Sequence, residues 1–398
     1  MPVLAALKDI HEDAKEWRRH IHKHPETAFE EVQTSDFIAS KLDEWGVTYE
    51  RGWAQTGIVA TLHGKNGVNT DTDKTIILRA DMDALDIHEQ TGLPYQSCHD
   101  GKMHGCGHDG HSTMLMSAVK HLSEHTDSFD GTVHFVFQPA EEGEGGARVM
   151  VEEGFFDKYP CKAIFGLHNW PALEKGKMAI CAGAMTAASD RFTIHMTGKG
   201  GHAAMPHQNI DVITAASSLV MSLQTLVSRV IDPMQGAVVS ITKLESQGSD
   251  SLNVMPEGVA LGGTVRTFSA KTRDMIEQRI ADMASHTAQS YNCTAEVTYT
   301  KGYPSVVNSK DETNLAHMAA AETVGDNNAS NEFIPTMGGE DFAFFLEKSP
   351  GAYIALGQKD DNKTAPLHSP HYDFNDDVIP IGASYWVNLV QLALPVSD

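Results

Sequence analysis

The chain has 398 residues, 41% hydrophobic and 21% charged, which supports a normal buried core and is more than one ordinary compact domain requires. With 53 Asp+Glu against 30 Lys+Arg the net charge is −23, a field that repels phosphate backbones and anionic lipid, so nucleic-acid and membrane-surface partners are disfavoured. No signal peptide or bilayer-length apolar run is visible, and five scattered cysteines (Cys98, Cys106, Cys161, Cys181, Cys293) form no disulfide framework, so the expected location is a reducing cytoplasm.

Apolar residues at helical spacing predict a helix over 4–22 (Leu4, Leu7, Ile10, Ala14, Trp17, Ile21) and a second over 30–45, with Gly46 as its stop. Short β-type runs follow at 57–63 and 75–79. A helix opens near His108 and runs to about 122. A strand at 132–137, a helix at 146–153 and strands at 163–168 and 177–181 come next. Strands alternating with helices predict a layered α/β sheet covered on both faces.

Near residue 186 the pattern changes. A strand at 190–197, a helix at 211–229, strands at 236–244 and 252–267, a helix at 270–290 and a strand at 294–300 make a β-α-β-β-α-β order, the ferredoxin-like pattern. The α/β pattern then resumes with helices at 312–324 and 340–347, a strand at 352–356 and a helix at 381–394. The expected organisation is a discontinuous α/β domain, 1–185 and 302–398, interrupted by a smaller lid-like α+β domain over 186–301.

Five segments carry candidate chemistry. In 103–111 (MHGCGHDGH), the glycines let Cys106 and His108 face one point, both being side chains that bind borderline divalent metals. Asp109 is a candidate partner behind them, and His111 falls in the following helix. In 137–143 (FQPAEEG), directly after a strand, one of the two glutamates can bind metal while its neighbour takes a proton from water. His168, also placed at a strand end, is a candidate ligand, as is His368 in the proline-fixed loop 365–371. The strand ending in Asp81 and Asp83 offers carboxylates to orient a ligating imidazole. Taken singly, each segment also reads as an ordinary feature: a glycine turn with a buried thiol, a solvated acidic turn, a packed histidine, a surface loop, or a helix cap or salt bridge.

Taken together and in order, HPE (24–26), RADMDAL (79–85), MHGCGHDGH, FQPAEEG, GLHNWP (166–171), GKGGHAAMPH (198–207), NVMPEGVALGGTVRT (253–267), MGGEDFAFF (337–345) and LHSPHY (367–372) resemble the M20 metallopeptidase/amidohydrolase family. The likeness spans nearly the whole chain and is to the branch of hippurate hydrolases, aminoacylases and auxin-conjugate hydrolases. It implies two divalent metal ions per subunit (Zn²⁺, Mn²⁺, Co²⁺ or Ni²⁺). Cys106 would bridge them, with Glu142 and His368 on one and His108 and His168 on the other. Other branches bridge with an Asp and carry a His where this chain has Asp81. The resemblance further implies Glu141 as general base, Asp83 as the residue behind the metal centre, and His202 as the donor to the developing oxyanion. Asn253 and Arg266 would hold the substrate carboxylate. The activity implied is cleavage of the amide bond of an N-acyl amino acid by a homodimer joined through the inserted domain, with strand 236–244 either an edge for pairing or a buried core strand, and His202 acting in its own site or in the partner's. The rival readings are a dipeptidase or aminopeptidase of the same family, and a metal-binding protein without catalysis.

Overall fold

The computed structural model describes residues 5–66 and 72–396. They divide into two compact units. The larger comprises Met1–Met185, Val307–Ile334 and Asp341–Asp398, and the smaller comprises Thr186–Val306 and Pro335–Glu340. Residues 302–306 and 335–340 thus pack with the smaller unit, where the sequence reading had placed them in the α/β domain.

The larger unit is built on an eight-stranded mixed sheet. Its order is Thr48–Trp53, Gly57–His63, Thr132–Gln138, Thr75–Asp81, Ala163–Glu174, Gly351–Lys359, Met178–Ala179, Ala329–Ser330. Strand Thr75–Asp81 is inside the sheet, parallel to Thr132–Gln138 and to Ala163–Glu174, and every one of its residues is buried. A parallel strand covered on both faces requires the near-continuous apolar run that made it legible. Helices His108–Glu124 and Ile379–Ala393 pack on the same core through Met114, Leu115, Val119, Tyr385, Trp386 and Leu389. No helix among the described residues is long and apolar enough to cross a membrane, and all five cysteines are free.

The smaller unit follows the order strand Ala188–Thr197, helix Val212–Thr225, strands Ala237–Gln247 and Gly258–Thr267, helix Ala270–Ser290, strand Thr294–Thr300. Its antiparallel sheet places Ala237–Gln247 at one edge, then Gly258–Thr267, Ala188–Thr197 and Thr294–Thr300, a ferredoxin-like arrangement. Ile194, Leu219, Leu223, Leu261, Ile276 and Ile280 fill the space between sheet and helices. Buried Asp190 ties the end of this sheet together: it accepts from Arg273 (Nε 2.9 Å), the Tyr299 hydroxyl (2.7 Å) and Gly302 N (3.0 Å).

Several boundaries differ from expectation for identifiable reasons. The first helix is two, Ala5–Asp9 and His11–Lys23, and Leu4 lies outside the described residues. Strand Thr48–Trp53 was not predicted, because a largely exposed edge strand reading TYERGW carries no apolar alternation. The run 252–267 divides into Val254–Met255 and Gly258–Thr267 around Pro256, which lacks the N–H a ladder needs. The helix over 340–347 shortens to Ala343–Leu346, and that over 211–229 ends at Thr225 in a π-turn, Leu226–Val230. Strand 163–168 continues to Glu174, so His168 lies within it rather than at its end.

Candidate metal centre

The centre is assembled from turns that only particular residues can make. Gly107 has φ +95°, and a Cβ there would meet Asn169 Oδ1 at 2.4 Å and the Tyr372 hydroxyl at 2.6 Å. Glycine therefore lets the chain pass from Cys106 directly into the helix that opens at His108. Two further turns hold non-glycine residues in the left-handed region, Ala140 at φ +55° and His368 at φ +63°. Each such residue costs roughly 1–2 kcal/mol, so each must be held by its surroundings. Ala140 O accepts from Gly146 N (2.9 Å), Ala140 N donates to Glu31 Oε1 (2.9 Å), and His368 N donates to Gly105 O (2.8 Å).

The imidazoles are oriented from behind. His108 Nδ1 donates to the backbone oxygen of Asp83 (2.9 Å) with Asp83 Oδ1 at 3.1 Å, while Asp83 Oδ2 accepts from Glu142 N (2.9 Å). One carboxylate thereby places both a histidine and the glutamate turn. His168 Nδ1 donates to Asn169 O (2.6 Å), leaving Nε2 to face Cys106 Sγ at 3.4 Å. His368 Nε2 lies 3.1 Å from Glu142 Oε1.

These orientations bring two triads together: Cys106, His108 and His168, and Cys106, Glu142 and His368. In each, the donor atoms lie within 4.8 Å of one another, and Cys106 belongs to both. Glu141, also buried, joins His108 and Glu142 in a further group of the same compactness. Cys106, His108 and His168 are buried, whereas His368 is exposed and gives the cluster a solvent side.

The electrostatics fit cations. His108 Nε2 is buried and has no hydrogen-bond partner among the described residues, an arrangement that is costly for a polar atom left as it is. Burial alone would lower the His108 imidazole, but Asp81, Asp83 and Glu142 outweigh it and push it up to about 10. Burial, and then the charges of Glu142, Glu141 and Asp81, holds the Cys106 thiol well above its usual range. Burial keeps His168 neutral, with its pKa well below the ordinary imidazole value. A surplus of buried acid around a thiol and imidazoles is the donor chemistry of a borderline divalent cation, which would take the place of the proton that these acids otherwise hold on His108.

The two carboxylates at the end of strand Thr75–Asp81, Asp81 and Asp83, divide their work. Asp83 reaches His108, but Asp81 turns to His111 Nδ1 (2.6 Å) and Arg79 (2.6 Å). His111 Nε2 lies 2.6 Å from Asn169 Oδ1, so both nitrogens are engaged by protein groups, and Asn169 Nδ2 donates to Tyr372 (2.7 Å). Arg79, buried in the strand, also pairs with Asp341 (2.9 Å) and Gln138 (2.7 Å). Asp109 does not stand behind His108: it accepts from His22 (2.8 Å) and Arg18 (3.3 Å) and anchors the first turn of its helix. Sequence reasoning missed Glu31, Arg79, Asn169 and Asp341. The one available signal was the charge of Arg79 inside an otherwise apolar strand.

In the smaller unit, His202 and Asn253 are neighbours. His202 pairs with Val254 across a two-stranded ribbon, and Ala203 N donates to Asn253 O (3.0 Å). Both side chains are exposed. Arg266 is not with them. It lies opposite Ser189 at the far end of strand Gly258–Thr267, eight residues beyond Gly258, about 27 Å along an extended strand.

A family model described as "Peptidase family M20/M25/M40" matches residues 77–392. The chain belongs to this peptidase family. Among M20 relatives, the IAA-amino acid hydrolase ILR1-like 2 of Arabidopsis thaliana is 41% identical over 92% of this chain and 82% of its own length. The hippurate hydrolase of Campylobacter jejuni is 36% identical over 98% of both chains. Among solved structures, the YXEP protein of Bacillus subtilis, described as a dinuclear metal binding peptidase of the M20 family, superposes with a TM-score of 0.84 at 34% identity. It covers 97% of this chain and 99% of its own. The M20 assignment accounts for the α/β core and places the candidate clusters in a family that contains dinuclear metal proteins.

Proposed function

We propose that this chain is a dinuclear metal-dependent amidohydrolase that cleaves the amide bond of N-acyl amino acids to a carboxylic acid and a free amino acid. The observation that carries the proposal is the thiol of Cys106 shared by two ligand triads with a second glutamate, Glu141, beside them. The relatives named for hippurate, IAA-amino acid and N-acetyl-L-cysteine substrates support the substrate class.

Cys106, His108 and His168 would hold one ion and Cys106, Glu142 and His368 the other. When bound, the two ions supply Lewis acidity, bringing the pKa of water toward neutrality and polarising the scissile carbonyl. Glu141 takes a proton from the attacking water and returns it to the amide nitrogen as the C–N bond breaks. Asp83 fixes the His108 tautomer and the Glu142 backbone together. His202 donates to the oxyanion, while Arg266 and an Asn253 supplied by a second copy of the chain hold the α-carboxylate, for which a guanidinium fork is suited. The donor set of thiol, imidazole and carboxylate suits Zn²⁺, with Mn²⁺, Co²⁺ and Ni²⁺ as alternatives.

The edge strand Ala237–Gln247 and the exposed Met221, Met234 and Leu244 of the smaller unit support a homodimer formed through that unit. The separation of Arg266 from His202 and Asn253 supports a reading in which the latter two serve the partner's substrate. The acidic surface and free cysteines suit a cytoplasmic enzyme of small molecules.

A panel of hippurate, N-acetyl and indole-acetyl amino acids and unblocked dipeptides tests the proposal. Turnover of the acylated compounds is expected, abolished by EDTA and restored by a divalent ion. Preference for the unblocked dipeptides would instead make the chain a dipeptidase.

A further inference from the structure

Glu31 precedes the helix Val32–Glu44 and is fully buried. No cation among the described residues pairs with it. Its Oε1 accepts from Phe29 N (3.1 Å) and Ala140 N (2.9 Å), and its Oε2 accepts from the Thr56 hydroxyl (2.7 Å). A buried acid without a counter-ion is unfavourable unless its hydrogen bonds compensate, so what those bonds hold matters. Phe29 is a local partner, and Thr56 lies in the turn before strand Gly57–His63. Ala140 is distant in sequence, and it is the left-handed residue from which Glu141 and Glu142 are presented.

We propose that Glu31 is a positioning residue that holds the Ala140 turn in its left-handed conformation and so fixes where Glu141 and Glu142 point. The inference rests on the roles given to those two glutamates above. Beyond Ala140 the segment is fastened by Gly146 N to Ala140 O and by Asp83 Oδ2 to Glu142 N. Glu31 secures the near side. Without it, Ala140 relaxes toward the right-handed region that a side-chain-bearing residue prefers, rotating the peptide that leads to both carboxylates. Glycine adopts positive φ at no steric cost, so Ala140→Gly reduces the need for the fastening.

The test is an epistasis experiment on full-length protein, read by kcat on hippurate and by calorimetric titration with Mn²⁺ alone. Glu31→Ala is expected to lose roughly 10–100-fold in both, the usual cost of removing a group that orients a metal site. Glu31→Gln, which keeps a carbonyl oxygen for Ala140 N, retains most of both. Adding Ala140→Gly to Glu31→Ala returns about half or more of the loss on a logarithmic scale, though thermal stability does not recover in parallel. If the Ala variant does not fold, Glu31→Asp, whose shorter carboxyl falls short of Ala140 N, takes its place. The inference is overturned if folded Glu31→Ala matches the parent in both readouts, or if Ala140→Gly restores neither. Full turnover in Glu141→Gln would remove the general-base reading instead, and the Mn²⁺ titration, which depends on Glu142, would still decide the role of Glu31.

Discussion

The candidate metal centre of the larger unit and the His202–Asn253 ribbon of the smaller differ in how their side chains are held. In the first, His108, His168 and Glu142 each have a named group behind them, and the cluster is mostly buried. In the second, His202 and Asn253 are exposed, and among the described residues His202 Nδ1 accepts only from the nearby Ala204 N (3.1 Å). One region is organised before any ligand arrives. The other offers polar groups whose geometry a substrate or a second subunit must complete. Substitutions at the ion-assigned groups of the first region and at those behind them should therefore alter cation binding or stability, and changes in the second region should alter turnover alone.

The largest effect expected is at Glu141, which lies in the first region but is assigned no ion. Glu141→Gln should lower kcat by about 10²–10⁴-fold, the range for a positioned acid–base group, with cation content by elemental analysis unchanged. Loss of the ions would make Glu141 a ligand rather than a base. His202→Ala should lower kcat by about 10²–10³-fold, as for an oxyanion donor, with melting temperature and Mn²⁺ affinity at parent values. A fall in either would erase the contrast between the regions. Asp83→Asn should weaken Mn²⁺ binding by about 10–100-fold, since one carboxylate orients both His108 and Glu142. An effect on KM alone would contradict that arrangement.

The smallest effect probes the sheet itself. Burial, helped by His63, pushes His134 down from 6.5 to about 4, while Thr61 bonds its Nδ1 (2.9 Å). Between those values the unfolded chain binds the proton more readily than the folded one, so stability should fall as pH drops from 6.5 toward 4. His134→Gln should flatten that slope in calorimetric melts. An unchanged slope would assign the pH response to other groups.

Much of this arrangement could be read before any coordinates. The strands Thr75–Asp81 and Thr132–Gln138 were legible because their burial is nearly continuous, and Cys106, His108, His168, His368 and the pair Glu141–Glu142 stood out as metal-type side chains, with the family resemblance selecting Glu142 as the ligand. The supporting groups were not legible. Arg79 reads as an interruption of an apolar strand until Asp341, distant in sequence, is seen to meet it. Glu31 reads as a surface acid until the fold buries it, and Ala140 carries no mark of its positive φ. Periodicity reports which face of an element is covered, but a hydrogen bond between remote loops leaves no local pattern.

The spread of the centre along the chain bears on how the protein is made. Cys106 and His108 leave the ribosome long before His368, and Arg79 long before Asp341, so a nascent chain carries a thiol, paired imidazoles and a strand-borne guanidinium without their later partners. Because domains tend to fold as they emerge, loading with metal belongs to the end of biosynthesis. A premature stop before residue 341 would leave buried Arg79 with Asp81 and Gln138 but without Asp341, a charge network short of one carboxylate.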